Sequence, residues 1–148
     1  MERQLLKFKK IKPIDYGKLL YEMDIKTFTR EYDYPSPSEA MTLSYLKNCE
    51  VYFVYHKNTL VGLFAFEEKD GKVEVKQIAV LPEFQNKGYG KIIVKKLLQI
   101  NKGKNIWLVT HPKNIIAIVL YLKNGFNITG WKDDYYGDGQ PRMILQYN

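Results

Sequence analysis

Hydrophobic and polar residues alternate through the middle of the chain, and short turn signals separate the alternating segments. Residues 51–56, 59–66 and 72–81 each have the alternation or the short apolar run that is typical of a β-strand. The turns between them are Lys57-Asn58 and Lys69-Asp70-Gly71, and Asp-Gly is a strong hairpin signal. Because these links are short, the pattern predicts three successive antiparallel strands.

After Pro82 the spacing of apolar residues becomes helical and stays so to Asn101, where a short apolar strand follows at 105–110. A strand, a helix and a strand in this order predict a βαβ crossover. A second helix is predicted from Asn114, which can cap it, to the stop signal Asn124-Gly125. The remaining predicted elements are helices at 13–28 and 38–46 and strands at 126–132 and 141–146.

The composition fits one globular domain over residues 1–148, since 45% of the residues are hydrophobic and 26% are charged. The longest apolar stretches fall well short of the roughly 18 residues that span a bilayer, which predicts no membrane helix. Residues 1–12 lack the apolar run of a secretory signal, so a cytoplasmic location is expected. With Cys49 as the single cysteine and only two histidines, we predict no internal disulfide and no metal site.

The net charge of +7 is concentrated in one segment of the chain. Residues 84–132 contain nine lysines and no Asp or Glu, so that segment carries +9 and the remaining residues carry −2. Lysines on solvated helix faces explain most basic segments, but they do not explain the absence of acidic residues. The segment therefore predicts an anionic partner.

A glycine-rich turn, Gln85-Asn86-Lys87-Gly88-Tyr89-Gly90-Lys91, lies between a predicted strand and a predicted helix. Backbone N–H groups at such a turn form an anion site at the positive end of the helix dipole. A P-loop is excluded because Ile92 follows Gly90-Lys91. A dinucleotide fingerprint is excluded because Ile93 occupies the position of its third glycine.

The turn does resemble the Q/R-x-x-G-x-G/A element of the GNAT superfamily of acyl-CoA-dependent N-acetyltransferases. The preceding Gln77-Ile78-Ala79-Val80-Leu81-Pro82 is similar to the strand of the same central motif. Farther along, Asn114-Ile115-Ile116-Ala117, Tyr121 and Gly125-Phe126 are similar to the second motif of the family. The resemblance implies a mixed α/β (α+β) fold, in which helices cover both faces of a mostly antiparallel sheet that splays between its fourth and fifth strands.

The resemblance also implies acetyl-CoA as co-substrate and an amine as acceptor, with direct attack in a ternary complex. The implied acetyl-CoA-binding residues are Ile78, Ala79, Val80, Gln85, Asn86, Lys87, Gly88, Tyr89, Gly90, Lys91, Asn114 and Tyr121. Tyr121 is the implied acid that protonates the leaving thiolate, and the backbone N–H of Val80 or of a neighbouring residue is the implied oxyanion donor. Core packing of Tyr121 and simple helix capping by Asn114 are the alternative interpretations.

Glu74 is a candidate base, since its spacing from Val80 is similar to that of the catalytic glutamate in histone-type members of the family. Strand alternation is expected to place its side chain on the same face as Ile78 and Val80. The alternatives are a solvated strand glutamate and deprotonation of the amine through water.

The acceptor is expected to lie between two loops, 32–37 and 133–139. The second loop resembles a Tyr-Tyr-Gly-Asp-Gly-x-x-Arg tail of some family members, and its carboxylates and tyrosines suit a cationic amine. We therefore expect a small polyamine-like or peptide amine. A solvated hairpin turn is the alternative for the second loop. The candidate acceptor-binding residues are Tyr32, Tyr34, Asp134, Tyr135, Tyr136 and Asp138.

Two other functions fit the same features. A basic nucleic-acid-binding module would use the twelve Tyr, seven Phe and two Trp for base stacking, but the strands place most of these in the core. An acyl-CoA sensor would keep the anion site without chemistry. We expect no nucleic-acid or membrane partner, and a monomer or a homodimer.

Overall fold

A computed structural model describes residues 5–28 and 37–147 of the chain. In these residues a seven-stranded sheet is covered by helices on both faces. The strands are β1 (Leu6–Ile11), β2 (Glu50–His56), β3 (Thr59–Lys69), β4 (Lys72–Val80), β5 (Asn105–Thr110), β6 (Asn127–Lys132) and β7 (Arg142–Tyr147). The helices are α1 (Gly17–Thr27), α2 (Glu39–Leu46), α3 (Tyr89–Ile100) and α4 (Ile115–Lys123), and short 3₁₀ turns lie at Pro13–Tyr16 and Pro82–Phe84.

The strand order is β1-β2-β3-β4-β5-β7-β6, and only the β4–β5 pair among these strands is parallel. The predicted antiparallel succession of β2, β3 and β4 and the β4–α3–β5 crossover are confirmed. The sequence pattern did not single out β1. Its apolar signal is short, because lysines separate Leu6 from Phe8 and follow Phe8.

Each face of the sheet buries its own apolar cluster. Under α3 and α4 the largest fully buried side chains include Phe64, Phe66 and Leu97. On the opposite face Leu20 of α1 and Leu46 of α2 are buried against β2 and β3. Each such side chain stabilises the fold by about 1.5–3 kcal/mol relative to its exposure to water. In the described part of the chain, no helix is long and apolar enough to cross a membrane.

The sheet opens between β4 and β5. Parallel pairing runs from Lys72↔Asn105 to Glu74↔Trp107, whereas the two strands continue to Val80 and Thr110. The predicted splay between the fourth and fifth strands is therefore confirmed. Beyond Glu74 the edge of β4 faces an open cleft.

A β-bulge shifts the side-chain alternation of β4. Lys76 is the extra residue, lying opposite the junction of residues 65–66 in β3. Apolar residues before and after the bulge consequently pack in the same core under α3 and α4. These residues are Val73, Val75, Ile78 and Val80. Glu74 therefore lies on the opposite face, which carries α1 and α2, and the expectation that it shares a face with Ile78 and Val80 is wrong.

Candidate active site

A cavity of about 340 Å³ lies at the open edge of β4, between the first turns of α3 and α4. Ten of the twelve predicted acetyl-CoA-binding residues line it. They are Ile78, Val80, Gln85, Asn86, Gly88, Tyr89, Gly90, Lys91, Asn114 and Tyr121. The other two lie outside its wall: Ala79 is buried on the α1 and α2 face, and Lys87 is exposed, with Nζ 5.8 Å from the centroid of the Phe84 ring.

The backbone of β4 supplies one wall of this cavity. Leu81 N–H donates to Val61 O of β3 at 2.9 Å. Because successive residues of a strand direct their N–H and C=O groups to opposite sides, those of Val80 and Ile78 point away from β3 and toward the cleft. On that side Val80 O accepts from Gln85 Nε2 at 2.9 Å. The cavity is therefore bordered by backbone N–H groups directed to it.

The turn before α3 leaves the start of that helix open. Gly88 is the N-cap residue in the left-handed conformation, with φ +84°, and no side chain caps this helix in the described structure. By contrast, Ser38 caps α2 and Asn114 caps α4 through side-chain hydrogen bonds. Space around Gly88 is empty on the side where a Cβ would lie. The first N–H groups of α3 are thus available to an anion.

The two glycines of the turn have different roles. A Cβ on Gly90 would lie 3.3 Å from Leu120 Cδ2, so Gly90 allows close packing of α3 on α4. Gly88 instead provides a left-handed backbone conformation that L side chains rarely adopt. The first glycine therefore shapes the turn, and the second sets the distance between the helices.

The charge around the cavity is positive, but the basic segment is not all directed to it. Lys91 lines the cavity, and the lining residues in the described structure include no Asp or Glu. Other lysines of the segment have contacts elsewhere, since Lys104 forms an ion pair with Glu68 at 2.9 Å. Lys96 and Lys132 lie over the rings of Phe8 and Tyr135. Therefore only some of the nine lysines of the segment can attract an anion to the turn before α3.

Tyr121 and Asn114 place α4 against the cavity. Asn114 Oδ1 accepts from Ala117 N–H at 3.4 Å, so the predicted helix cap is confirmed while the residue also lines the cavity. Tyr121 is 8% exposed, and its ring centroid lies 5.3 Å from that of Phe126. Tyr121 is therefore both a core residue and part of the cavity wall.

The side chain of Tyr89 is buried and contacts residues outside α3. Its ring is 3% exposed and lies edge-on to Phe84, with the centroids 6.5 Å apart. Its hydroxyl is 3.0 Å from His56 Nδ1. Tyr89 thus anchors the start of α3 to the end of β2.

Glu74 lies outside the cavity wall. Its Oε1 is 3.2 Å from Lys76 Nζ, which is also 3.8 Å from Glu67 Oε2. With Glu67 and Trp107, Glu74 lines a separate depression of about 230 Å³. Glu74 therefore lies in a separate depression on the α2 side of the sheet.

The carboxylates of loop 133–139 are bonded within the hairpin. Asp134 Oδ1 accepts from Gly139 N–H, and Asp138 Oδ2 lies 2.8 Å from Arg142 Nη2. The Gln140 N–H bond and the Arg142 guanidinium hold the pKa of Asp138 below its usual value. These contacts give Asp134 and Asp138 a structural role in shaping the hairpin.

The tyrosines of the same loop form an aromatic surface. The rings of Tyr135 and Tyr136 pack edge to face with centroids 4.7 Å apart, and the guanidinium carbon of Arg142 lies 5.1 Å from the Tyr136 centroid. The other predicted acceptor residues, Tyr32 and Tyr34, lie outside the described residues.

A hydrogen-bond chain joins this loop to the start of α4. His111 is buried, and its Nδ1 accepts from Lys113 N–H at 3.1 Å. That bond assigns the proton of the ring to Nε2, which donates to Gln140 Oε1 at 2.9 Å. Gln140 N–H in turn donates to Asp138 Oδ1 at 2.9 Å. Asn114, which lines the cavity, donates its N–H to His111 O at 3.0 Å, so hydrogen bonds connect loop 133–139 to the cavity wall.

Sequence reasoning missed several residues of the cavity wall. Ala117 had a signal, because it lies three residues after Asn114 and four before Tyr121 on one helix. Thr27 and Phe28 had none, since they lie at the C-terminal end of α1, far from the motifs in sequence. The missed lining residues are Thr27, Phe28, Phe84, Ile116, Ala117 and Leu120.

Comparisons with known proteins agree with this geometry. The model of the acetyltransferase (GNAT) family matches residues 18–126. The spermine/spermidine N(1)-acetyltransferase of Bacillus subtilis is 31% identical over an alignment of 111 residues that covers 65% of this chain and 73% of that protein.

Two solved structures share the fold. The ribosomal-protein-S18-alanine N-acetyltransferase of Escherichia coli has a TM-score of 0.81 at 20% identity, over 97% of this chain and 93% of that one. A GNAT family acetyltransferase from Elizabethkingia anophelis with acetyl-CoA bound has a TM-score of 0.78 at 21% identity, over 99% of both chains.

Proposed function

Because the chain belongs to the acetyltransferase (GNAT) family, we propose that it transfers the acetyl group of acetyl-CoA to a primary amine in a ternary complex. The observation that carries this proposal is the cavity itself. It brings together the open edge of β4, the uncapped start of α3 and Tyr121. These features supply an arm-binding wall, an anion site and an acid, which are the three requirements of the donor half of the reaction.

Acetyl-CoA fits the cavity by charge and by polarity. Its pyrophosphate would lie on the N–H groups of residues 85–91, and its pantetheine arm along Ile78 and Val80. The bound acetyl-CoA of the Elizabethkingia relative supports this choice of ligand. Exposed lysines such as Lys87 and Lys91 would each add on the order of 1 kcal/mol, so the backbone positions the ligand and the lysines increase affinity.

The chemistry follows from the groups around the thioester. The amine nitrogen attacks the carbonyl carbon, a C–N bond forms, and the carbonyl electrons move to oxygen. Val80 N–H donates to this oxyanion, an interaction whose loss costs about 10²- to 10³-fold in rate. The oxyanion electrons then re-form the C=O bond as the C–S bond breaks, and the Tyr121 hydroxyl protonates the thiolate of CoA. The proton that the new amide nitrogen loses passes through water and restores the Tyr121 hydroxyl.

The amine must first lose a proton on the acceptor side. Glu74 lies outside the cavity wall and is paired with Lys76 at 3.2 Å, which places it poorly for direct proton abstraction. We therefore assign the deprotonation to water. The role of Glu74 is to attract the ammonium group to the α2 side of the sheet through its charge.

The proposed acceptor is a small polyamine-like amine or a peptide amine. The Tyr135–Tyr136 surface suits an ammonium group through cation–π contact. The Bacillus subtilis relative named for spermine and spermidine supports a polyamine. The E. coli structure named for an alanine of a ribosomal protein supports a peptide amine. A cytoplasmic location, the absence of a nucleic-acid partner and a monomer or homodimer remain predictions.

Thiol release tests the proposal. Purified protein with acetyl-CoA should release one CoA thiol per acetyl group when spermine, spermidine or an N-terminal alanine peptide is added. Neutral and acidic amines are matched controls and should react more slowly. Stabilisation by acetyl-CoA without thiol release from any amine would instead show a sensor. A salt-dependent gel shift without binding of acetyl-CoA would favour the nucleic-acid module.

A further inference from the structure

Thr27 lines the cavity, and its hydroxyl group has no role in the mechanism above. Thr27 is the last residue of α1, and it lines the cavity together with Phe28. Its Oγ1 is buried and has no hydrogen-bond partner. Among the described residues it is the only buried side-chain N or O atom without one. Leaving a buried hydroxyl unpaired costs stability, so its presence points to a ligand.

The local helix does not use this hydroxyl. A threonine in a helix commonly bonds the carbonyl four residues earlier, whereas Thr27 Oγ1 makes no such bond. The turn itself is nevertheless held, because Phe28 N–H donates to Asp24 O at 2.8 Å. The unpaired hydroxyl therefore does not result from a frayed helix end.

Two polar side chains of the cavity lining are already paired within the protein. Gln85 Nε2 donates to Val80 O, and Asn114 Oδ1 accepts from Ala117 N–H. Much of the remaining wall is apolar, as at Ile78 and Leu120. A ligand group that contacts Thr27 thus meets an unpaired side-chain hydroxyl in a wall that also has apolar side chains.

The charge of the cavity lining indicates which ligand group can pair with the Thr27 hydroxyl. The described lining has no Asp or Glu, so a cationic amine would be desolvated there without a counter-charge. A carbonyl oxygen is neutral and needs a donor, and the acyl-pantetheine arm carries one in its thioester and two in its amides. We infer that Thr27 binds acetyl-CoA and that its hydroxyl donates a hydrogen bond to a carbonyl oxygen of the acyl-pantetheine arm. This inference rests on the proposed function.

Two substitutions test the role of Thr27. Thr27→Val keeps the side-chain shape and removes the hydroxyl, whereas Thr27→Ser keeps the hydroxyl. Without ligand, the melting temperature of Thr27→Val should equal or exceed that of the wild type. Its Kd for acetyl-CoA, measured by calorimetry, should rise about 3- to 10-fold, as for the loss of one neutral hydrogen bond. Thr27→Ser should restore most of the affinity.

Titration of CoA beside acetyl-CoA identifies the carbonyl. Equal weakening of both ligands assigns the bond to a pantetheine amide, and weakening of acetyl-CoA alone assigns it to the thioester. An unchanged Kd for both in Thr27→Val, or a change confined to the KM of the amine, would overturn the inference and leave the proposed function standing. Failure of the wild type to bind either ligand would overturn both.

Discussion

Gly62 of β3 controls the position of the β4 edge at which we place the reaction. It pairs with Val80, and a Cβ at this position would clash with the carbonyl oxygen of Ala79. That oxygen belongs to the backbone, so the clash cannot be relieved by a side-chain rotation. Gly62→Ala therefore has to displace β4 from β3 at the residues that border the cavity.

The size of the effect follows from the geometry. The new Cβ would approach Ala79 O well inside 3.0 Å, a distance below which real Cβ atoms are essentially never found. Strand β4 must consequently shift by roughly 1 Å, and a misplacement on that order costs about 10²-fold in rate. Overpacking of this kind also lowers the free energy of unfolding by about 1–3 kcal/mol.

Steady-state thiol release and chemical denaturation measure the two effects separately. For Gly62→Ala we expect kcat to fall about 100-fold, with a smaller change in the KM of acetyl-CoA, because the turn before α3 is untouched. Gly130→Ala is the matched control, since its Cβ would meet only the side chain of Ile144, at 3.2 Å, in a strand away from the cavity. A folded Gly62→Ala variant with kcat within twofold of the wild type would refute the placement of the reaction at Val80.

Three other predictions concern single side chains. Tyr121→Phe should lower kcat while leaving the Kd of CoA nearly unchanged, and an unaltered kcat would remove Tyr121 from the mechanism. Glu74→Gln should lower kcat/KM for the amine by less than about 10-fold, because a direct base contributes about 10²- to 10⁴-fold. Asp138 should titrate below the usual range of an aspartate by carboxyl NMR, since its folded-state pKa is lowered by the Gln140 N–H bond and by Arg142. Its contribution to stability is thus present above the unfolded pKa and lost as the pH falls through the folded pKa, a loss that Asp138→Asn should abolish.

The sequence predicted local features of the site better than distant ones. Contiguous patterns such as the glycine turn and the Asn114 cap depend on nearby residues, and the structure has them as expected. The face of Glu74 was predicted wrongly, because strand alternation assumes a regular ladder and the bulge at Lys76 depends on how β3 pairs. Thr27 gave no signal, because only tertiary packing brings α1 to the cavity.

The charge pattern of the sequence predicted which charges surround the cavity but not which charged residues form ion pairs. The absence of acidic residues from 84–132 correctly indicated the basic, acid-free surroundings of the cavity. The sequence did not show that Lys104 pairs with Glu68 or that Asp138 pairs with Arg142. Partners distant in sequence neutralise or reassign charges, so the role of a charged residue depends on the fold.

The central claim is that acetyl-CoA binds at the turn before α3, and titration of two glycine variants tests it most directly. Gly88 and Gly103 have φ of +84° and +82°, and a Cβ added to either residue would have no neighbouring atom within 4 Å. An alanine at either position should therefore cost about 1–2 kcal/mol of backbone strain. We predict that Gly88→Ala raises the Kd of acetyl-CoA at least fivefold while Gly103→Ala leaves it unchanged. Equal affinities in the two variants would contradict the account.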